Sequence, residues 1–105
     1  MSEPFGKVKD RFFKAVKASD ISSVFTIVFD NIDIVHATDT EVLLRTVTAQ
    51  YTALHYAAKN GDREMCDVLL DLGARVNGSL AQNPTTPILL AVDEGHHDCV
   101  VTLDQ

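Results

Sequence analysis

Cysteine is scarce in this chain. Cys66 and Cys99 alone cannot build a disulfide framework, so the sequence points to a reducing compartment, the cytoplasm or the nucleus. Five glycines and three prolines in 105 residues exclude a collagen-like or low-complexity chain. Long apolar runs are missing too. The longest worth testing, Ile21 to Phe29, is interrupted by Ser22, Ser23 and Thr26, whereas a membrane-spanning helix needs about 20 residues. Lys7, Lys9 and Arg11 break the N-terminus before any secretory h-region can form. Bases are outnumbered, 9 against 15 acids for a formal charge of -6, which argues against a duplex nucleic-acid binder that must neutralise phosphates. What is there is ordinary globular material: 46% apolar and 23% charged residues, enough for one small domain of modest stability.

The charge is uneven. Lys7, Lys9, Arg11, Lys14 and Lys17 against Glu3 and Asp10 give the first 17 residues a net +3, while the rest holds 4 bases and 13 acids, a net of -9. A basic first helix ahead of an acidic body can steer association.

The chain also repeats itself, which outranks any local reading of secondary structure. Thr52, Leu54, Ala57, Gly61 and Leu69 recur 34 positions later as Thr86, Ile88, Ala91, Gly95 and Leu103. A fainter copy lies 42 positions upstream, where Phe12, Ala15, Val16, Ser19, Val24 and Ile27 match Leu54, Ala57, Ala58, Gly61, Cys66 and Leu69. Each copy reads as helix, sharp turn, helix. Thr52 and Thr86 suit the N-cap, and Pro87 suits the first helical position. Gly61, Gly95 and Gly73 stop helices where a left-handed residue is needed. Met65, Cys66, Val68, Leu69 and Leu70 give the second helix an apolar stripe. Phe5, Val8, Phe12 and Val16 predict a longer opening helix after Pro4, followed by a helix over Ile21 to Phe29 capped by Asp20 or Ser19.

The string Thr52-Ala53-Leu54-His55-Tyr56-Ala57-Ala58-Lys59-Asn60-Gly61, with Leu69-Leu70 and Gly73-Ala74-Arg75-Val76-Asn77 behind it, resembles an ankyrin repeat. Residues 86–103 resemble a further repeat with Leu89 in place of the usual His, and residues 12–28 a degenerate N-terminal capping repeat. The resemblance implies an all-α ankyrin-repeat solenoid of about three stacked helix–turn–helix units with projecting loops. Its expected divisions are a capping repeat at about 5–30, an insertion at 31–50, a repeat at 51–83 and a partial repeat at 84–105, all in one domain. The insertion is open to a helix or a hairpin, and Leu43, Leu44 and Val47 imply that it packs somewhere. The resemblance also implies that His55 and Thr52 form the hydrogen-bonded pair that ties the turn to the helix.

Chemistry is poorly represented. His96, His97, Asp98 and Cys99 form the most metal-like cluster, but adjacent histidines diverge on a helix and a structural zinc site wants four converging ligands. In the repeat family the residue after the helix-ending Gly is often a histidine that packs and binds backbone. No nucleophile or orienting carboxylate is signalled beside His55. Asp93, Glu94 and Asp98 lack a cleft, and Gly73-Ala74-Arg75 and Gly78-Ser79 do not form a phosphate-binding loop. No enzyme, no metal and no cofactor is expected.

The stack leaves its turns and the outer face of each first helix for a protein partner. On that concave face the expected contact residues are Lys14, Lys17, Tyr56, Lys59, Asn60, Leu90, Asp93 and Glu94, joined by Leu80 at the tip of the 77–82 loop. Residues 86–97 with Cys99-Val100, and in the same order Leu54-His55-Tyr56-Ala57-Ala58 and Lys14-Ala15-Val16-Lys17 with Val24, are moreover similar to the small myotrophin-like ankyrin proteins, which implies a regulator that binds actin capping protein. The other expectation is the N-terminal ankyrin part of a larger enzyme or channel serving as a recruitment domain, because the sequence ends inside a helix without a polar closing repeat. An end of that kind predicts an exposed patch of Val100, Leu103 and the Ile88 to Val92 helix, favouring self-association.

Overall fold

The computed structural model describes residues 4–44, 47–76 and 85–104, with backbone alone over 39–44 and 47–50. Its helices follow one another in three pairs: α1 (Phe5–Lys17) with α2 (Ile21–Asp30), α3 (Ala53–Lys59) with α4 (Arg63–Asp71), and α5 (Pro87–Asp93) with α6 (His97–Leu103). First helix lies on first helix, α1 on α3 and α3 on α5, and α4 lies on α6.

The repeat seen in the sequence is repeated in the backbone. Ser19, Gly61 and Gly95 have φ of 58, 72 and 75°. Asp20, Asp62 and His96 follow at φ -88, -89 and -91° and open the second helices. Their amides donate to the carbonyls of Ala15, Ala57 and Ala91 at 2.9, 2.9 and 2.8 Å. Side-chain caps complete the helix starts. Asp20 accepts from the Ser23 amide at 3.2 Å and from its hydroxyl at 2.7 Å, and these bonds hold its carboxyl below the usual range. Asp62 accepts from the Met65 amide at 3.2 Å and Thr86 from the Leu89 amide at 3.4 Å. His96 caps with its backbone only. Its side chain is used elsewhere.

The 31–50 insertion proves to be a hairpin rather than a helix. A 3-10 helix (Ile32–His36) anchors it through buried Ile34 and Val35. Strands β1 (Thr38–Leu44) and β2 (Val47–Thr52) then pair antiparallel from Thr38 opposite Thr52 to Leu44 opposite Val47, with an irregularity between Val42 and Leu44. The hairpin adds a two-stranded ribbon to an otherwise helical stack. The packing expected of Leu43, Leu44 and Val47 falls outside the described side chains.

One core runs through all three pairs, from Val8 to Leu103, with Ala57 and Ala91 both fully buried in it. Comparing matching positions shows which face each residue serves. Arg11 and Lys14 are exposed on α1, whereas their counterparts Ala53 and Pro87, and Tyr56 and Leu90, are buried. Those positions are covered by the preceding pair in the second and third pairs, and by no other pair among the described residues in the first. The reverse holds for positions that face the following pair. Phe13 and His55 are buried but Leu89 is 48% exposed; Val16 and Ala58 are buried but Val92 is 56% exposed. The expected C-terminal patch is therefore shifted. Leu103 and Leu90 are buried and Val100 is partly covered, so Leu89 and Val92 form the exposed part.

Candidate interaction surface

Two seams join the three pairs, and each is polar at the turns and apolar below. Across the first, the Ser19 hydroxyl donates to the Asp62 carboxylate. Beneath it Tyr56 packs edge-on against Phe13, centroids 5.7 Å apart, and the Lys17 ammonium stands 4.5 Å from the Tyr56 centroid. Across the second, His96 Nε2 donates to the Lys59 carbonyl at 3.0 Å. The His96 ring fills the space over Gly61: a Cβ there would lie 2.6 Å from His96 Nδ1.

His55 fastens the same seam from the other end. Its Nδ1 accepts from the Thr52 amide at 3.0 Å, which leaves Nε2 to donate to the Thr85 carbonyl at 2.7 Å. The Thr52–His55 pair closes a reciprocal capping box, as the resemblance implied. Tyr51 stacks on the imidazole at 5.0 Å. Burial holds His55 below its ordinary pKa of 6.5 against the opposing bond to Thr85. The Thr52 hydroxyl lies 2.8 Å from the same Nδ1, so both ring nitrogens are engaged in the cap and the seam, and the imidazole positions backbone.

At the floor of this seam the buried thiols of Cys66 and Cys99 lie close enough to perturb one another. Cys66 faces the following pair and Cys99 the preceding one, so residues at non-equivalent repeat positions meet. Burial, and then the neighbouring thiol, push Cys66 well above the usual thiol range; burial also raises Cys99. Both are small apolar fillers here. The His96–Cys99 run does not converge: His96 is tied to Lys59, His97 is exposed, and Cys99 points into the core. Among the described residues no group of three His, Cys, Asp or Glu is placed to hold a metal ion. No described helix is long and apolar enough to cross a membrane.

The candidate contact residues divide accordingly. Lys17, Lys59 and Asp93 occupy matching positions along the first helices, as do Ala18, Asn60 and Glu94 one residue on. Lys17, Asn60, Asp93 and Glu94 are exposed and Lys59 half-buried, so the structure does bring them into one row that crosses all three pairs. A shallow groove of Asp10, Phe13, Lys14, Lys17 and Ala18 continues it on α1. Tyr56 and Leu90 do not belong to the row. Tyr56 is 4% exposed because Phe13, Tyr51 and Lys17 enclose it, and Leu90 occupies the same seam-facing position in the third pair. Their expected place on the open face is corrected: both are packing residues. Leu80 lies outside the described residues.

One exposed feature escapes the sequence. Phe25 and Phe29 sit one turn apart on the outer side of α2, Phe29 at 85% exposure, with Ile32 exposed beyond them. Their counterparts Asp67 and Asp71 are charged, so comparison with the second repeat is the signal that would have found them.

Matching helical pairs, left-handed turns and a Thr–His capping box are set beside a family match that spans most of the chain. The family described as ankyrin repeats (3 copies) matches residues 12–104. The chain belongs to the ankyrin-repeat family. The ankyrin match is local in its relatives: a probable E3 ubiquitin-protein ligase, XBOS31 of Oryza sativa subsp. japonica, is 40% identical over 58 residues, 55% of this chain and 13% of the rice protein. The ankyrin repeat domain of human ASB11 superposes at a TM-score of 0.60 and 24% identity, covering 88% of this chain and 37% of the human one. The chain thus spans well under half the length of either. Ankyrin repeats are protein–protein interaction modules, and this chain is built as one.

Proposed function

We propose that the chain is a non-catalytic adaptor that binds a folded protein partner along the row Lys17–Lys59–Asp93 with Asn60 and Glu94. The supporting observation is that Lys17, Asn60, Asp93 and Glu94 are exposed at matching positions of successive first helices, with Lys59 half-buried between them, while Tyr56 and Leu90 on the same helices are consumed by the seams. Charged groups on a rigid scaffold bind with little side-chain ordering beyond their own. The row changes sign along its length, two lysines then two carboxylates, which favours a partner of matching dipolar pattern.

The test is affinity capture with mass spectrometry, comparing the wild type with Lys17→Glu and Asp93→Lys. Loss of the same partner with both folded variants supports the row; full retention with both refutes it. The finer reading is a cytoplasmic or nuclear myotrophin-like regulator of actin capping protein. It rests on the resemblance of residues 86–97 with Cys99-Val100, 54–58, and 14–17 with Val24, and makes a kinetic demand: purified protein slows barbed-end capping of pyrene-labelled actin. No effect at large molar excess removes that version alone.

A second reading is favoured by one observation, that the rice relative's matching segment is 13% of a larger protein named a ligase. In it the chain is the recruitment part of a larger enzyme or channel. A natural stop codon directly after Gln105 would end that reading.

A further inference from the structure

The second helices carry an open flank of their own. On α2, Phe25 and Phe29 are exposed one turn apart, and Ile32 follows on the 3-10 turn. Phe29 and Ile32 are the two most exposed large apolar side chains among the described residues. Ile32 is fixed in place, because the Asn31 side-chain amide donates to the Ile27 carbonyl at 3.2 Å and Ile34 and Val35 of the same turn are buried. The flank is open by position. Asp67 and Asp71, at the matching sites of α4 in the middle pair, are exposed as well. Stacking one pair on the next therefore leaves these sites uncovered wherever they stand in the stack.

Charge of one sign surrounds this apolar ridge. Residues 20–33 hold three acids and no Lys or Arg, residues 62–71 four acids against Arg63, and residues 97–104 two acids and no Lys or Arg. Asp30 and Asp33, next in sequence to Phe29 and Ile32, are exposed, as are Asp67 and Asp71 one repeat on. Five of the nine bases are gathered on α1 instead. We infer that this flank docks a basic amphipathic helix of a partner protein. The apolar residues of that helix lie on Phe25, Phe29 and Ile32, and its lysines or arginines face the surrounding carboxylates. The spacing fits: residues four apart on α2 are separated by about 6 Å along the axis, which matches an incoming helix with apolar anchors at i, i+3 or i+4, and i+7.

Charge selects among the ways of covering the ridge. An anionic membrane surface is repelled by these carboxylates, and so is an acidic helix. Two copies of this chain joined flank to flank oppose Asp30, Asp33, Asp67 and Asp71 to their own likes, which costs association. A basic helix buries the same rings and pairs the charges. Little ordering is demanded of this chain, since α2 and the 3-10 turn are already held by their own hydrogen bonds and buried side chains. The flank uses none of Lys17, Lys59, Asn60, Asp93 and Glu94, so it is a second surface that stands or falls apart from the row.

The test is fluorescence anisotropy of a fluorescein-labelled helical peptide of about five turns, Leu on one face and Lys on the other, titrated with the 105-residue chain. Saturable binding is expected, with a Kd of about 1–100 µM at low salt. The same peptide with Glu for every Lys should bind at least about tenfold more weakly. Phe29→Asp, and Phe25→Asp with Phe29→Asp, copy the second repeat and should each weaken the Lys peptide about tenfold or more. Circular dichroism checks folding, and Phe29→Asp alone decides if the double variant is unfolded. Asp67→Asn with Asp71→Asn should weaken binding about threefold, whereas the charge-matched pair Asp93→Asn with Glu94→Gln should leave it unchanged. Absence of saturable binding, equal binding of the Lys and Glu peptides, or wild-type affinity in Phe29→Asp overturns the proposal. So does uptake by neutral phosphatidylcholine vesicles that Phe29→Asp abolishes, which gives the flank to a membrane, or self-association in sedimentation that Phe29→Asp abolishes, which gives it to a second copy.

Discussion

Lys17 and Tyr56 meet across the first seam, ammonium to ring centroid 4.5 Å, and this contact turns an aromatic residue of the repeat signature into a packing residue. Tyr56→Ala should therefore cost about 3–5 kcal/mol of stability, whereas Lys17→Met should cost about 0.5–1 kcal/mol. Urea denaturation measures both. A Tyr56→Ala midpoint equal to wild type would mean that the ring is not in the seam.

Gly61 and Gly95 share a left-handed backbone but not an environment. An alanine at either pays the left-handed penalty of about 1–2 kcal/mol. At Gly61 the new methyl also meets the His96 ring, while nothing lies within 4 Å at Gly95. Gly61→Ala is expected to be the more damaging by about 1–3 kcal/mol, and Gly61→Ala combined with His96→Ala should lose that excess. Equal effects at the two glycines would contradict the stacking of His96 over Gly61.

Much of this was legible in the chain itself. The offsets of 34 and 42 place Ser19, Gly61 and Gly95 in one conformation, and the Thr and Asp caps lie where side-chain chemistry demands. Direction was harder. Tyr56 and Leu90 sit at positions that are exposed only in the first pair, so a helical wheel drawn on one repeat cannot tell seam from open face. Comparison of burial across all three repeats can. The hairpin was ambiguous because its residues must satisfy a ribbon that crosses from one unit to the next, and no alternating pattern announces it. Phe25 and Phe29 were hidden because the apolar arc of α2, opposite Ser22, Ser23, Thr26 and Asp30, is broad enough to include them with the core residues.

His55 makes the stack sensitive to acid. Its pKa in the folded protein lies below the ordinary 6.5, so the unfolded chain binds the proton more readily. Its contribution is complete above 6.5 and is lost as the pH falls below that value, by up to about 1.4 kcal/mol per pH unit. His55→Gln should lower stability at neutral pH and flatten the decline between about pH 6.5 and 5. Parallel melting-temperature profiles for the two proteins would contradict the assignment.

Cys66 and Cys99 should be silent towards thiol reagents in the folded state, since both are buried with raised pKa values. Ellman's reagent is expected to label neither in buffer and both in urea, at the rate of unfolding. Rapid labelling in buffer would show that the α4–α6 seam opens.

The stacking itself is open to the most direct check by nuclear Overhauser spectroscopy on labelled protein. The account requires cross-peaks from the Tyr56 ring to Phe13 and to the Lys17 side chain, and from Cys66 to Cys99, in a single set of signals. Cross-peaks confined to each helical pair, with none linking one pair to the next, would mean that the pairs do not share a slab and that the row from Lys17 to Asp93 does not exist.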